Sequence, residues 1–210
     1  MFTPAKHPRN SPVAGLRFNA ITYSPQRPDL QFIFRPGSYR AGKVYTLDRY
    51  PGMTGGFGQQ RPESSGFVRI ASKNPFDKPL VQPNYLQAEL DKQVVVAGVR
   101  MIRRFMQSRA MQAYFHRETL PGPQAQSDEQ LLQYAREFGI TSFHYVSTAR
   151  MGPSTDPTAV VDSELRVHGL QGLRVVDASV MPMITSANTY AATLMIAEKA
   201  ADLLLGRSSA

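Results

Sequence analysis

Phe143-His144-Tyr145-Val146-Ser147-Thr148-Ala149-Arg150-Met151-Gly152 opens the stretch on which the reading of this chain turns. It continues through Gly172-Leu173-Arg174-Val175-Val176-Asp177-Ala178-Ser179-Val180-Met181-Pro182 to Ser186-Ala187-Asn188-Thr189, after which a helical pattern begins. His144 and Asn188 stand 44 positions apart, at the ends of two apolar runs. Only a fold can bring such a pair together. Each residue has two readings. His144, between Phe143 and Tyr145 on an apparent strand, is either a core or rim histidine or a general base, since imidazole titrates close to neutral pH. Asn188 is either a helix N-cap or a group facing a ligand, and a helix start allows both. Asp177 follows an apolar run, so it is a turn or cap aspartate, or else a residue beyond the end of a strand where ligands of open α/β sheets bind.

Outward from this stretch the chain changes character. Residues 1–28 are rich in Pro, Arg and Ser and read as loop. Strand composition follows at 29–34, 44–47 and 66–71, with no helical pattern between, which predicts an antiparallel sheet. Thr54-Gly55-Gly56-Phe57-Gly58 reads as a flexible turn. Val95, Val99, Ile102, Phe105 and Met106 then recur at helical spacing, with Asp91 as N-cap or first-turn acid. Ser127-Asp128-Glu129-Gln130 is a capping box that starts a second helix over 128–138, and Gly139 suits the residue after it. A third helix is expected over 191–205, stopped by Gly206. Short strands are expected at 141–146 and 173–176. The order predicts an α+β fold: a layer of antiparallel sheet with helices, then the closing piece of an α/β layer. The division expected is 1–140 and 141–210.

With 42% hydrophobic and 19% charged residues in 210, the chain can bury a core. It has no cysteine, so disulfides and thiolate zinc sites are excluded. The net charge is +8 and the pI 9.9, but the basic residues are scattered and form no run of the kind that marks a nucleic-acid binder. No nucleic-acid partner is expected. The first residues lack an apolar signal core, and no apolar run approaches the ~20 residues that span a bilayer. A cytoplasmic location is expected, with peripheral membrane association left open.

Other chemistries find no footing. Gly37-Ser38-Tyr39-Arg40-Ala41-Gly42-Lys43-Val44 misses the hydroxyl that a phosphate-binding loop needs for magnesium, because Val44 stands in its place. His7, His116, His144 and His168 have no metal-ligand spacing, and the nucleophile elbow G-x-S-x-G is absent.

Taken together, His144, Arg150-Met151-Gly152, Asp156-Pro157, Val160-Val161-Asp162, Leu165-Arg166-Val167-His168-Gly169, the 173–182 segment, Asn188-Thr189 and Ile196-Ala197-Glu198-Lys199-Ala200-Ala201-Asp202 are similar, in order and spacing, to the C-terminal half of the glucose-methanol-choline (GMC) oxidoreductases. The likeness is to the choline dehydrogenase-like branch, and Pro83-Asn84-Tyr85-Leu86 and Ser127-Asp128-Glu129 resemble its substrate-domain stretches. The resemblance implies a substrate-binding domain over 1–140 and, over 141–210, the returning segment of an FAD-binding domain. It implies oxidation of an alcohol, with His144 as base and Asn188 as its partner on the substrate oxygen, and hydride passing to flavin N5. Asp177 and Ala178 would lie against FAD; Asn188, Thr189 and Tyr190 would face the flavin ring. The electron acceptor stays unspecified, as does the alcohol: choline would call for an aromatic or acidic cage, which spacing does not place. Tyr145, Ala149 and Tyr190 depart from the family's usual Pro, Cys and Asn, and these changes concern the pocket wall.

One part of the family pattern has no counterpart. The Gly-rich βαβ unit that grips the ADP of FAD, G-x-G-x-x-G after a strand, does not occur in this sequence. The chain therefore reads as one portion of an enzyme whose dinucleotide-binding half lies elsewhere. The alternative is a non-catalytic binding or interaction module that reuses the fold.

Overall fold

The computed structural model describes residues 2–3, 16–20, 27–40, 46–186 and 188–207. In chain order its elements are β1 (Phe2–Thr3), β2 (Leu16–Ala20), β3 (Leu30–Arg35), β4 (Thr54–Gln59), β5 (Phe67–Arg69), β6 (Leu80–Gln82), α1 (Glu89–Met106), β7 (Arg117–Glu118), α2 (Asp128–Phe138), a 3-10 turn at Ala178–Val180 and α3 (Tyr190–Leu205). The fold is α+β, with small antiparallel sheets beside helices. Two compact units emerge, each assembled from separated segments: 1–63 with 86–142, and 64–85 with 143–210. Residues 64–85 thus group with the later part of the chain rather than with the segment before residue 140.

In the first unit β3 runs between β2 and β4, antiparallel to both. Its alternation is the period-2 signature of a half-buried strand: Leu30 and Phe32 are buried while Gln31 and Ile33 are less so. α1 packs Val94, Ile102 and Met106 onto this core and turns Val96 and Val99 toward Leu131 and Leu132 of α2. Gly98 makes the close approach possible. A Cβ there would come within 2.5 Å of the Phe57 ring on β4. The 54–58 segment, expected as a turn, is therefore a strand: its ladder with β3 and the helix above it outweigh the low strand preference of its glycines. Residues 16–20, expected as loop, likewise pair with β3. Val44 and Tyr45, read as strand, lie outside the described residues.

Buried polar groups of this unit are satisfied. Asp91, in the first turn of α1 rather than at its cap, accepts from the Gln59 Nε2 at 2.8 Å and from the Glu63 N–H at 2.9 Å. Arg103 pairs with Glu118 at 2.9 Å, and its other donors reach the Ala125 and Gly122 carbonyls. Burial, with the Glu118 carboxylate beside it, pushes the nearby Tyr134 phenol up from its ordinary value. α2 begins on the expected capping box, Ser127 accepting from the Gln130 N–H. Gly139 ends it in an extended rather than left-handed conformation.

The second unit holds the β5–β6 hairpin, a series of linked turns and α3. Its core gathers Val161, Leu165, Val180, Met181, Ile196 and Ala200. The expected strands at 141–146 and 173–176 do not form. The backbone is left-handed at Phe143 (φ 59°) and Ser147 (φ 72°), which breaks a ladder on either side of His144. Around Arg174 only a single bridge to Arg166 remains. α3 ends on Gly206, left-handed at φ 65°. Among the described residues no helix is long and apolar enough to cross a membrane.

Candidate active site

His144 lies in the second unit on a segment anchored to the 3-10 turn. The Ser147 hydroxyl donates to the Met181 carbonyl at 2.8 Å, and the Ala149 and Met151 N–H groups donate to the Ser179 and Val180 carbonyls. The two left-handed residues, Phe143 and Ser147, bracket His144. Such positions cost energy in non-glycine residues and concentrate where geometry is functionally constrained.

The histidine meets the start of α3. Asn188 Nδ2 is 2.6 Å from His144 Nε2, and Thr189 Oγ1 is 3.0 Å from Nδ1, so both ring nitrogens are engaged. His144 and Asn188 are half-buried, whereas Thr189 is buried. Thr189 is also the N-cap of α3, yet its side chain makes no capping bond; its hydroxyl is turned to the imidazole instead. The first turn of α3 carries no acidic residue. Neither the Thr189 side chain nor an acidic residue of the first turn therefore meets the positive end of the helix dipole beside His144.

The remaining expected site residues are placed as follows. Asp177 is exposed and caps the 3-10 turn, accepting from the Ser179 N–H at 2.7 Å. It does not end a strand, because no strand forms there. Ala178 is half-buried as the first residue of that turn, and Tyr190 is 73% exposed at the start of α3. Two features escaped the sequence. Thr189 holds the imidazole, a contact that no sequence pattern announces. The Tyr85 hydroxyl donates to that of Tyr145 at 2.9 Å, tying the end of the 64–85 segment to the residue after His144. A separate cavity of about 230 Å³, lined by residues including Leu120, Ala125, Tyr134 and Phe138, belongs to the first unit and contains none of these residues. Among the described residues no three His, Cys, Asp or Glu side chains gather as metal ligands do.

A family model described as GMC oxidoreductase matches residues 62–197, well over half of the chain. The chain belongs to the GMC oxidoreductase family. Its relatives include the oxygen-dependent choline dehydrogenase of Staphylococcus aureus, 42% identical over 183 residues, which are 86% of this chain and 32% of that protein. Among solved structures, pyridoxine 4-oxidase from Mesorbium loti is 29% identical with a TM-score of 0.78, over 87% of this chain and 35% of that one. An FAD-dependent oxidoreductase from Chaetomium thermophilum is 27% identical with a TM-score of 0.70, over 87% of this chain and 29% of that one. This GMC chain thus spans about a third of the length of the relatives it matches.

Proposed function

We propose that this chain forms the substrate-handling part of an FAD-dependent oxidoreductase that oxidises the CH–OH group of an alcohol. The observation that carries the reading is the contact of His144 with Asn188 across 44 positions, beside the N-terminus of a helix whose first turn has no acidic residue. A neutral imidazole nitrogen and an amide N–H converging on one point suit an alcohol oxygen: one takes its proton, the other donates to the oxygen as negative charge develops. Asn188, which now donates to Nε2, would pivot its donor onto the substrate oxygen. Fixing both groups on packed segments supplies orientation in advance of the reaction.

The donor set suits the flavin expected from the family. The first N–H groups of α3 and the polar side chains of Asn188 and Thr189 offer donors, and the first turn of that helix carries no carboxylate. Asp177, Ala178, Asn188, Thr189 and Tyr190 would hold FAD, which when bound supplies the hydride acceptor. Tight binding requires the dinucleotide-binding half, a unit with no G-x-G-x-x-G counterpart in these residues. The exposed apolar residues of α3, Leu194, Met195, Leu204 and Leu205, offer such a unit surface to cover.

The test is a chimera in which the part of the S. aureus choline dehydrogenase outside the matched segment completes this chain. With FAD loaded it should oxidise an alcohol. His144→Ala should lower turnover by roughly 10²–10⁴-fold with flavin content unchanged. Undiminished turnover in that variant would remove His144 from the chemistry. A chimera that holds FAD and turns over no alcohol would favour a non-catalytic module.

A further inference from the structure

The two contacts of His144 determine where its proton sits. An amide nitrogen donates and cannot accept, so Nε2, facing Asn188 Nδ2 at 2.6 Å, presents its lone pair. A neutral imidazole carries a single N–H, which leaves it on Nδ1, and that N–H donates to the Thr189 Oγ1 at 3.0 Å. Thr189 is 7% exposed, so water has little access to replace it as acceptor. Its backbone is fixed as well, because its carbonyl accepts from both the N–H and the hydroxyl of Thr193 at 2.9 Å. A threonine at an N-cap ordinarily spends its oxygen on the helix's own N–H groups; here that oxygen serves the imidazole.

We propose that Thr189 is a positioning residue that holds His144 in the Nδ1–H tautomer, keeping Nε2 unprotonated and aimed at Asn188. The catalytic meaning rests on His144 acting as the base: only the nitrogen that faces the substrate site is useful, and the wrong tautomer would present a proton where a lone pair is needed. Thr189 acts through the ring and not on the substrate.

The experiment reads the tautomer without turnover. Histidine-ring ¹⁵N labelling of the 210-residue chain, at a pH where the ring is neutral, distinguishes Nδ1–H from Nε2–H by NMR, and a His144→Gln variant assigns the signal. The wild type should show Nδ1–H. Thr189→Val, which keeps the shape and removes the acceptor, should lose that single-tautomer signature, and Thr189→Ser should retain it. Nε2–H in the wild type, as an amide turned to present Oδ1 would produce, overturns the proposal whether or not the valine variant folds. An unchanged Nδ1–H signature in Thr189→Val overturns it as well. Loss of the Nδ1–H signature in Thr189→Val beside undiminished turnover in His144→Ala would instead leave the positioning intact and sink only the catalytic role.

Discussion

At Asp162 a single carboxylate organises the turn under the core of the second unit. It accepts from the Glu164 and Arg166 N–H groups at 2.8 and 2.9 Å, while the backbone at Leu165 is left-handed at φ 65°. Partial burial pushes the carboxyl up, but the two backbone donors and the charges of Arg166 and His168 more than offset it and hold it below its ordinary value. A depressed carboxyl stabilises the fold above the unfolded-state pKa, near 4, and the contribution disappears as pH falls through the lower folded value. Asp162→Asn keeps an acceptor and removes the charge. In urea titrations the wild type should exceed this variant by the largest margin above about pH 4, and the margin should close toward more acid conditions. A margin that widens in acid would contradict the assignment. His144 shows a different residue-scale lesson. Its type and its place at the end of a recognisable stretch marked it in the sequence, whereas its engagement by Thr189 depends on one side chain choosing the ring over the helix.

Among the elements, α1 depends on a missing side chain. Gly98 lets the helix settle on the Phe57 ring, and Gly98→Ala forces that ring or the helix to move. The variant should lose about 1–3 kcal/mol in thermal or denaturant unfolding, with helix content kept. An unchanged midpoint would mean the ring relocates freely. The elements that the sequence disclosed are those whose cause is local. α2 was legible at its start because Ser127 and Gln130 cap each other three residues apart, and α1 and α3 because apolar residues recur at helical spacing. Misread elements have distant causes. The glycines of β4 are held as a strand by β3, and no side-chain pattern announces the left-handed turns at Phe143 and Ser147 that replace a strand around His144.

For the whole molecule, the expectation concerns what the chain can hold alone. The matched relatives are about three times as long as their shared segment, and the donors at the head of α3 would reach one part of a large cofactor. Purified residues 1–210 should therefore carry no stoichiometric flavin absorbance, whereas the chimera should; a flavin band at one per chain in the isolated protein would contradict this. The division of the units adds a consequence of another kind. Because 64–85 belongs with 143–210, the β5–β6 hairpin is made well before the rest of its unit. At about 5–20 residues per second, roughly three to twelve seconds pass before residue 143 is made. Through that interval the hairpin waits for its unit with Val68, Ile70, Phe76 and Val81 exposed, as they stay in the folded chain. The pairing of Asn188 with His144 comes later still, so the histidine gains its partner last, once the head of α3 has been made.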